Sequence, residues 1–202
     1  MKINELILEG LVEMSQIIPS VSSLMADPNE NEQQLKSLIH KIKFGDFTGT
    51  DIGPNITLYD NNSEYIGFDT EKNRIIYRME YGQYTNPILG NYVVQQWVWA
   101  DPSYSLNLPT RVFFDLVDNY DAVVCDERQT EPGKKFWINQ LHKAFDKNLN
   151  IYYINFKTNM LVQLSSVHDI ERFNKIYQVW TSHAASKDRV FVISNKQLQV
   201  TG

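Results

Sequence analysis

Apolar positions in the first part of the chain recur every three to four residues. Ile3, Leu6, Ile7, Leu11, Met14, Ile17 and Ile18 face away from Glu5, Glu9 and Glu13, which predicts an amphipathic helix over 3–18 that Pro19 ends. Leu35, Leu38, Ile39 and Ile42 repeat the pattern over 30–43, and Gly45 follows as a stop. These helices form an N-terminal helical segment, residues 1–45, ahead of a domain at 46–202; the boundary falls near 45–54. The segment packs on the core or pairs with another copy or a partner helix.

From about residue 54 the period shortens. "NITLYD", "EYIGFD", "NRIIYRMEYGQY" and "YVVQQWVWA" are rich in β-branched and aromatic residues and are separated by turn chemistry at Asp60 to Ser63, Asp69 to Asn73 and Asn86 to Asn91. Four antiparallel strands in meander order follow. The pattern then alternates: a helix from Pro109 through "TRVFFDLVDNY", a buried strand "DAVVCDE", a helix "KKFWINQLHKAFDKN", and a strand "IYYINF". "MLVQLSS" pairs with that strand, and a helix at about 168–183 and a last strand "RVFVIS" complete the order. A meander followed by alternation implies an α/β (α+β) fold with a mixed, mostly antiparallel central sheet and helices on both faces.

Composition adds limits. The 202 residues, 43 % hydrophobic and 21 % charged, suffice for one substantial domain with a large core. A net charge of −5 argues against a surface built wholly to trap nucleic acid, while leaving room for a local basic patch. The lone Cys125 sits in an apolar run, which excludes an intramolecular disulfide and predicts a buried thiol in a reducing compartment. His40, His142, His168 and His183 lack zinc-ligand spacing, so no metal site is expected. The glutamates at 5, 9 and 13 interrupt any signal-peptide core, and no apolar run approaches the ~20 residues of a membrane span. The expectation is a cytoplasmic protein with no membrane contact.

Three stretches carry a family resemblance. "EYIGFDTEKNRIIYRMEY", "YVVQQWVWADPSYSLNLPTRVFFDLV" and "DAVVCDERQTEPGKKFWINQLHKAFDKN" resemble the central hairpin, the cofactor-holding strand, loop and helix, and the fifth strand with its following helix in the GNAT superfamily of acetyl-CoA-dependent N-acyltransferases. The likeness covers roughly residues 54–165 and is to divergent, phage-encoded members. It implies an N-acyltransferase moving an acyl group from acetyl-CoA or another acyl-CoA to an amine acceptor on a protein, small molecule or modified base. It also implies that Trp99, Ala100, Ser105, Leu106, Asn107, Leu108 and Thr110 border the cofactor, whose pyrophosphate would meet backbone N–H groups at a helix start.

The chain departs from the family at two places. The family's loop carries glycines that let the backbone approach phosphate, whereas "SYSLNLPT" has none and its Pro109 removes an N–H. Phe145 stands near the family's proton-donating tyrosine, so Tyr152, Tyr153 or Tyr104 could substitute; the spacing selects none of them, and Tyr153 is taken as the candidate. Asp126 and Glu127, at the edge of "AVVC" where ligands of α/β sheets collect, are the candidate general bases; the alternative is solvated loop charges beside Arg128. Thr130 can cap the following helix, whose first turns hold Lys134 and Lys135 near Trp137. Cations there suit an anionic partner, nucleic acid or nucleotide, or a solvated helix face. The departures also support a second expectation: a scaffold of the same shape without coenzyme A, acting as a phage accessory protein on a host or virion protein in the host cell cytoplasm.

Overall fold

A computed structural model describes residues 27–104, 106–125, 131–158, 160–180 and 188–198. The elements are α1 (Glu32–Phe44), β1 (Thr48–Gly53), β2 (Ile56–Asp60), β3 (Glu64–Asp69), β4 (Arg74–Asn86), β5 (Gly90–Ala100), α2 (Leu108–Asn119), β6 (Ala122–Val124), α3 (Glu131–Asp146), β7 (Asn150–Asn155), β8 (Met160–Gln163), α4 (Val167–Tyr177) and β9 (Arg189–Ser194). This is a mixed α+β protein with a mostly antiparallel, open sheet and, among the described residues, four helices. The helix expected over 3–18 lies outside the described residues.

Two expectations need correction. Strand β1, "TGTDIG", precedes the expected meander; four of its six residues are exposed, so no apolar alternation announces it. The last helix stops at Tyr177 and does not run to 183, because Gln178 turns into the left-handed region at φ 49° and its N–H closes on Asn174 O. Residues 181–187 lie outside the description.

The chain divides into two compact units. The meander unit contains the described residues up to Gly82 together with Gln95–Val112, and its strands run in the order β1-β2-β3-β4-β5. The β1–β2, β2–β3 and β3–β4 ladders are antiparallel. Leu38 of α1 packs with Ile66 and Ile75, and Leu35, Ile42, Phe47, Tyr59, Phe68 and Trp99 close around them. Ahead of α1, the Asn29 side chain behaves like an extra strand residue: its Nδ2 donates to Ile75 O at 2.8 Å and its Oδ1 accepts from Ile75 N at 3.0 Å. Glu64 and Glu80 stand directly opposite across β3 and β4, where like charges repel. Arg78 removes the repulsion by donating Nε to Glu64 and Nη2 to Glu80, and Lys41 adds a longer contact to Glu64 at 3.8 Å.

The alternating unit contains Gln83–Val94 and the described residues from Phe113 on, with strands in the order β5-β6-β9-β7-β8. Here β5 and β6 are parallel, pairing Tyr92↔Ala122, Val93↔Val123 and Val94↔Val124. The C-terminal strand β9 lies between β6 and β7, antiparallel to both. These strands are almost wholly buried, as strands covered on both faces must be. Phe113 of α2 meets Phe136 and Trp137 of α3 edge-on, with centroids 5.9 Å and 5.0 Å away. At the turn into β5, Gly90 has φ +70°, and a Cβ there would lie 2.1 Å from Asp121 Oδ2. That carboxylate is held by Asn91 N at 2.8 Å and Lys196 Nζ at 2.9 Å, so glycine is needed for both the backbone angle and the space.

Candidate functional site

Asp126, Glu127, Arg128, Thr130 and Ser105 lie outside the described residues. The rest of the expected cofactor region is described, in the meander unit. Trp99 packs against the Leu38 cluster and Ala100 ends β5. Leu106 is exposed, whereas Leu108 is buried and fits the space left by Gly67: a Cβ on that glycine would stand 3.3 Å from Leu108 Cδ1. Asn107 takes the left-handed conformation, φ 51°, which a short amide side chain tolerates better than most.

The first turn of α2 offers little to an anion. Pro109 has no N–H, and the N–H groups of Thr110 and Arg111 both close on Asn107 O at 3.1 Å. A tight turn of this kind spends on its own carbonyl the donors that a phosphate would use.

Upstream of that turn lies an organised polar group that sequence reading did not assemble. At the end of β3, Asp69 Oδ1 accepts from Glu71 N at 3.0 Å and Lys72 N at 2.9 Å, closing the hairpin turn. Its other oxygen accepts from the Tyr104 hydroxyl at 2.5 Å, and Lys72 Nζ lies 3.9 Å from that oxygen and 4.9 Å from the Tyr104 ring centroid. After β5, Asp101 Oδ1 accepts from Ser103 N at 2.9 Å and Ser103 Oγ at 2.6 Å, while Asp101 Oδ2 pairs with Arg74 Nη2 at 2.7 Å. Both aspartates are nearly excluded from water, 4 % and 7 % exposed.

The charge states follow from these contacts. The Tyr104 hydrogen bond, helped by the Lys72 amide, holds the Asp69 carboxyl below its ordinary value. Burial and the bond to Asp69 push the Tyr104 phenol up, so Tyr104 keeps its proton. Contact with Tyr104 raises Lys72. Ser103 lowers Asp101, with Arg74 contributing less.

The other tyrosine candidates lie in the alternating unit. Tyr153 is fully buried, stacks on Tyr177 at 4.9 Å and tilts against Phe173 at 5.0 Å. Burial pushes its phenol up to about 12, against smaller opposing pulls from Arg189 and from a contact with the Asn155 side chain. Tyr152 is equally buried, and its oxygen accepts from Leu198 N at 2.8 Å, which ties Leu198 to β7.

Two further sequence expectations can be placed. Cys125 is buried, as its apolar flanks predict, and its Sγ accepts from Phe191 N at 3.1 Å. Trp137, read from sequence as an aromatic beside Lys134 and Lys135 at a surface contact, is instead fully buried. With Leu141 and Ala144 it forms the inward stripe of α3, because positions four and seven residues on share its face. Lys135 is exposed, and Lys134 Nζ lies 4.0 Å from Glu131 Oε1.

Among the described residues no group of three or more His, Cys, Asp or Glu could hold a metal ion, and no helix is long and apolar enough to cross a membrane. No family model matches the chain, and no curated protein or solved structure matches it either.

Proposed function

We propose that the chain is a divergent N-acyltransferase of the GNAT type, moving an acyl group from acetyl-CoA or another acyl-CoA to an amine on a protein, small molecule or modified base. The observation that supports this reading is the short parallel ladder of β5 and β6, set beside antiparallel ladders, with β5 leading through a loop into α2. In the family resembled, a parallel pair at this place in the chain holds the thioester. The amine nitrogen loses its proton to Asp126 or Glu127, the C–N bond forms at the thioester carbon, the C–S bond breaks, and the departing thiolate takes a proton. Of the tyrosines assigned to that last step, Tyr153 is fully buried, and the Tyr104 proton is already shared with Asp69.

A second reading has its own support. The engaged N–H groups of Thr110 and Arg111, and the missing one at Pro109, favour a scaffold of this shape that does not hold coenzyme A and acts by contact, as a phage accessory protein on a host or virion protein in the host cell cytoplasm. Thermal unfolding with increasing acetyl-CoA separates the two. The transferase reading expects a concentration-dependent rise in Tm, about 2.7 kcal/mol of added stability at 100 times Kd. No shift at millimolar acetyl-CoA, with no coenzyme A species co-purifying by mass spectrometry, favours the scaffold.

A further inference from the structure

Asp69 and Asp101 are wired alike. Each follows or ends a strand, and each uses Oδ1 to close the turn that begins with itself, on Glu71 and Lys72 in one case and on Ser103 in the other. Each then uses Oδ2 to hold a side chain from the other's segment. Asp69 accepts a hydrogen bond from the Tyr104 hydroxyl of the segment after β5, and Asp101 Oδ2 meets the guanidinium of Arg74, the first residue of β4, as an ion pair at 2.7 Å that is not aligned as a hydrogen bond. The two long contacts cross, so each turn supplies one acceptor and one donor to its neighbour. Two backbone groups complete the joint: Asp101 N donates to Ile76 O at 2.9 Å, and Tyr104 N donates to Asp101 O at 3.2 Å.

We propose that Tyr104 and Arg74 are positioning residues of a reciprocal clasp that fixes Asp101–Tyr104, the start of the segment between β5 and α2, against the β3–β4 turn. A single crossing contact would leave each turn free to open on its own. Two contacts running in opposite senses couple the turns, because neither aspartate can rotate away without leaving a nearly buried carboxylate unpaired. The consequence for the acyl donor rests on the transferase reading: the clasp presents Asp101–Tyr104 in one conformation before ligand arrives, which lowers the ordering cost of binding. The clasp itself does not rest on that reading.

Amide hydrogen exchange at Glu71, Lys72, Ser103 and Tyr104, measured in the full chain, tests the coupling. Tyr104→Phe keeps the ring and removes the donor; Arg74→Gln removes the cation from the other contact. Each variant is expected to speed exchange roughly tenfold or more at all four amides, on both turns, while β7 and β9 amides keep their wild-type rates. Exchange confined to the variant's own turn, unchanged exchange at all four, or a uniform rise that includes β7 and β9 overturns the clasp. Calorimetry with acetyl-CoA separates the two claims. Weaker binding by Tyr104→Phe than by wild type supports the clasp as a positioning device. If wild type does not bind acetyl-CoA, the transferase reading fails and the exchange result still decides the clasp.

Discussion

The two units solve the problem of a buried interior in different ways. In the alternating unit the strands are continuous apolar runs, and the burial of β6, β7 and β9 is nearly complete. Some polar groups caught there are left over: among the described residues the Tyr92 hydroxyl and the indole N–H groups of Trp137 and Trp180 have no hydrogen-bond partner. The meander unit instead takes charge inside beside donors or opposite charges, Glu64 by Arg78, Asp69 on Tyr104 and Asp101 by Arg74, although among the described residues its Tyr77 hydroxyl, Gln95 Oε1, Arg74 Nε and Asp101 Oδ2 make no hydrogen bond. An uncompensated neutral donor costs a few kcal/mol at most, and large aromatic contact area offsets it. An uncompensated carboxylate costs more, so the meander unit cannot lose a partner cheaply.

The largest effect should come from the apolar side of this contrast. Trp137→Ala removes a fully buried indole that meets Phe113 edge-on, and should cost about 3–5 kcal/mol in urea unfolding. Trp137→Phe should cost much less, because the indole N–H it deletes makes no hydrogen bond. If the two variants lose equal stability, packing is not what Trp137 supplies. On the charged side, Arg78→Ala leaves Glu64 and Glu80 facing each other across β3 and β4. The expected loss is about 3 kcal/mol, reduced from a fully buried pair because Glu80 is a third exposed. Adding Glu64→Gln to Arg78→Ala should recover part of that loss; a single variant within error of wild type would place these charges with ordinary surface pairs.

The same contrast explains what could be seen in the sequence. "RVFVIS", "DAVVC" and "IYYINF" announce themselves because a strand covered on both faces has no polar positions to blur the run. Strand β1 hides because "TGTDIG" has one large apolar residue, and its pairing to β2 is carried by backbone hydrogen bonds that any residue can make. The stop at Tyr177 hides because a left-handed glutamine is not a stop signal, whereas glycine or asparagine would have been. Trp137 was legible: 137, 141 and 144 fall on one face of α3, the spacing of an inward stripe. For the polar cluster, the local half is visible, since an aspartate two residues before a serine at a strand end suggests a turn closed by its own side chain. The long-range half is not. Tyr104 bonds Asp69 across 35 residues, and nothing in the spacing of three candidate tyrosines picks the one that finds an aspartate.

Acid should affect both units alike, and so marks where the contrast ends. Asp69 and Asp101 in the meander unit are held below the ordinary carboxyl value chiefly by Tyr104 and Ser103; Asp121 and Asp169 in the alternating unit chiefly by Lys196 and Ser165. When the chain unfolds, these carboxyls return to about 3.9. As pH falls, the unfolded chain therefore takes up protons before the folded one does. The stability these groups contribute is complete above the unfolded value and is lost as pH drops through the lower folded values. The urea midpoint should stay flat from about pH 7 to about pH 5 and then fall below about pH 4. Tyr104→Phe removes the main cause of the Asp69 depression, so its midpoint should start lower at neutral pH and fall less steeply in acid. A Tyr104→Phe profile parallel to wild type at every pH would mean that the hydroxyl does not stabilise the charged carboxylate, and that Asp69 owes its low value to the two amides of its own turn.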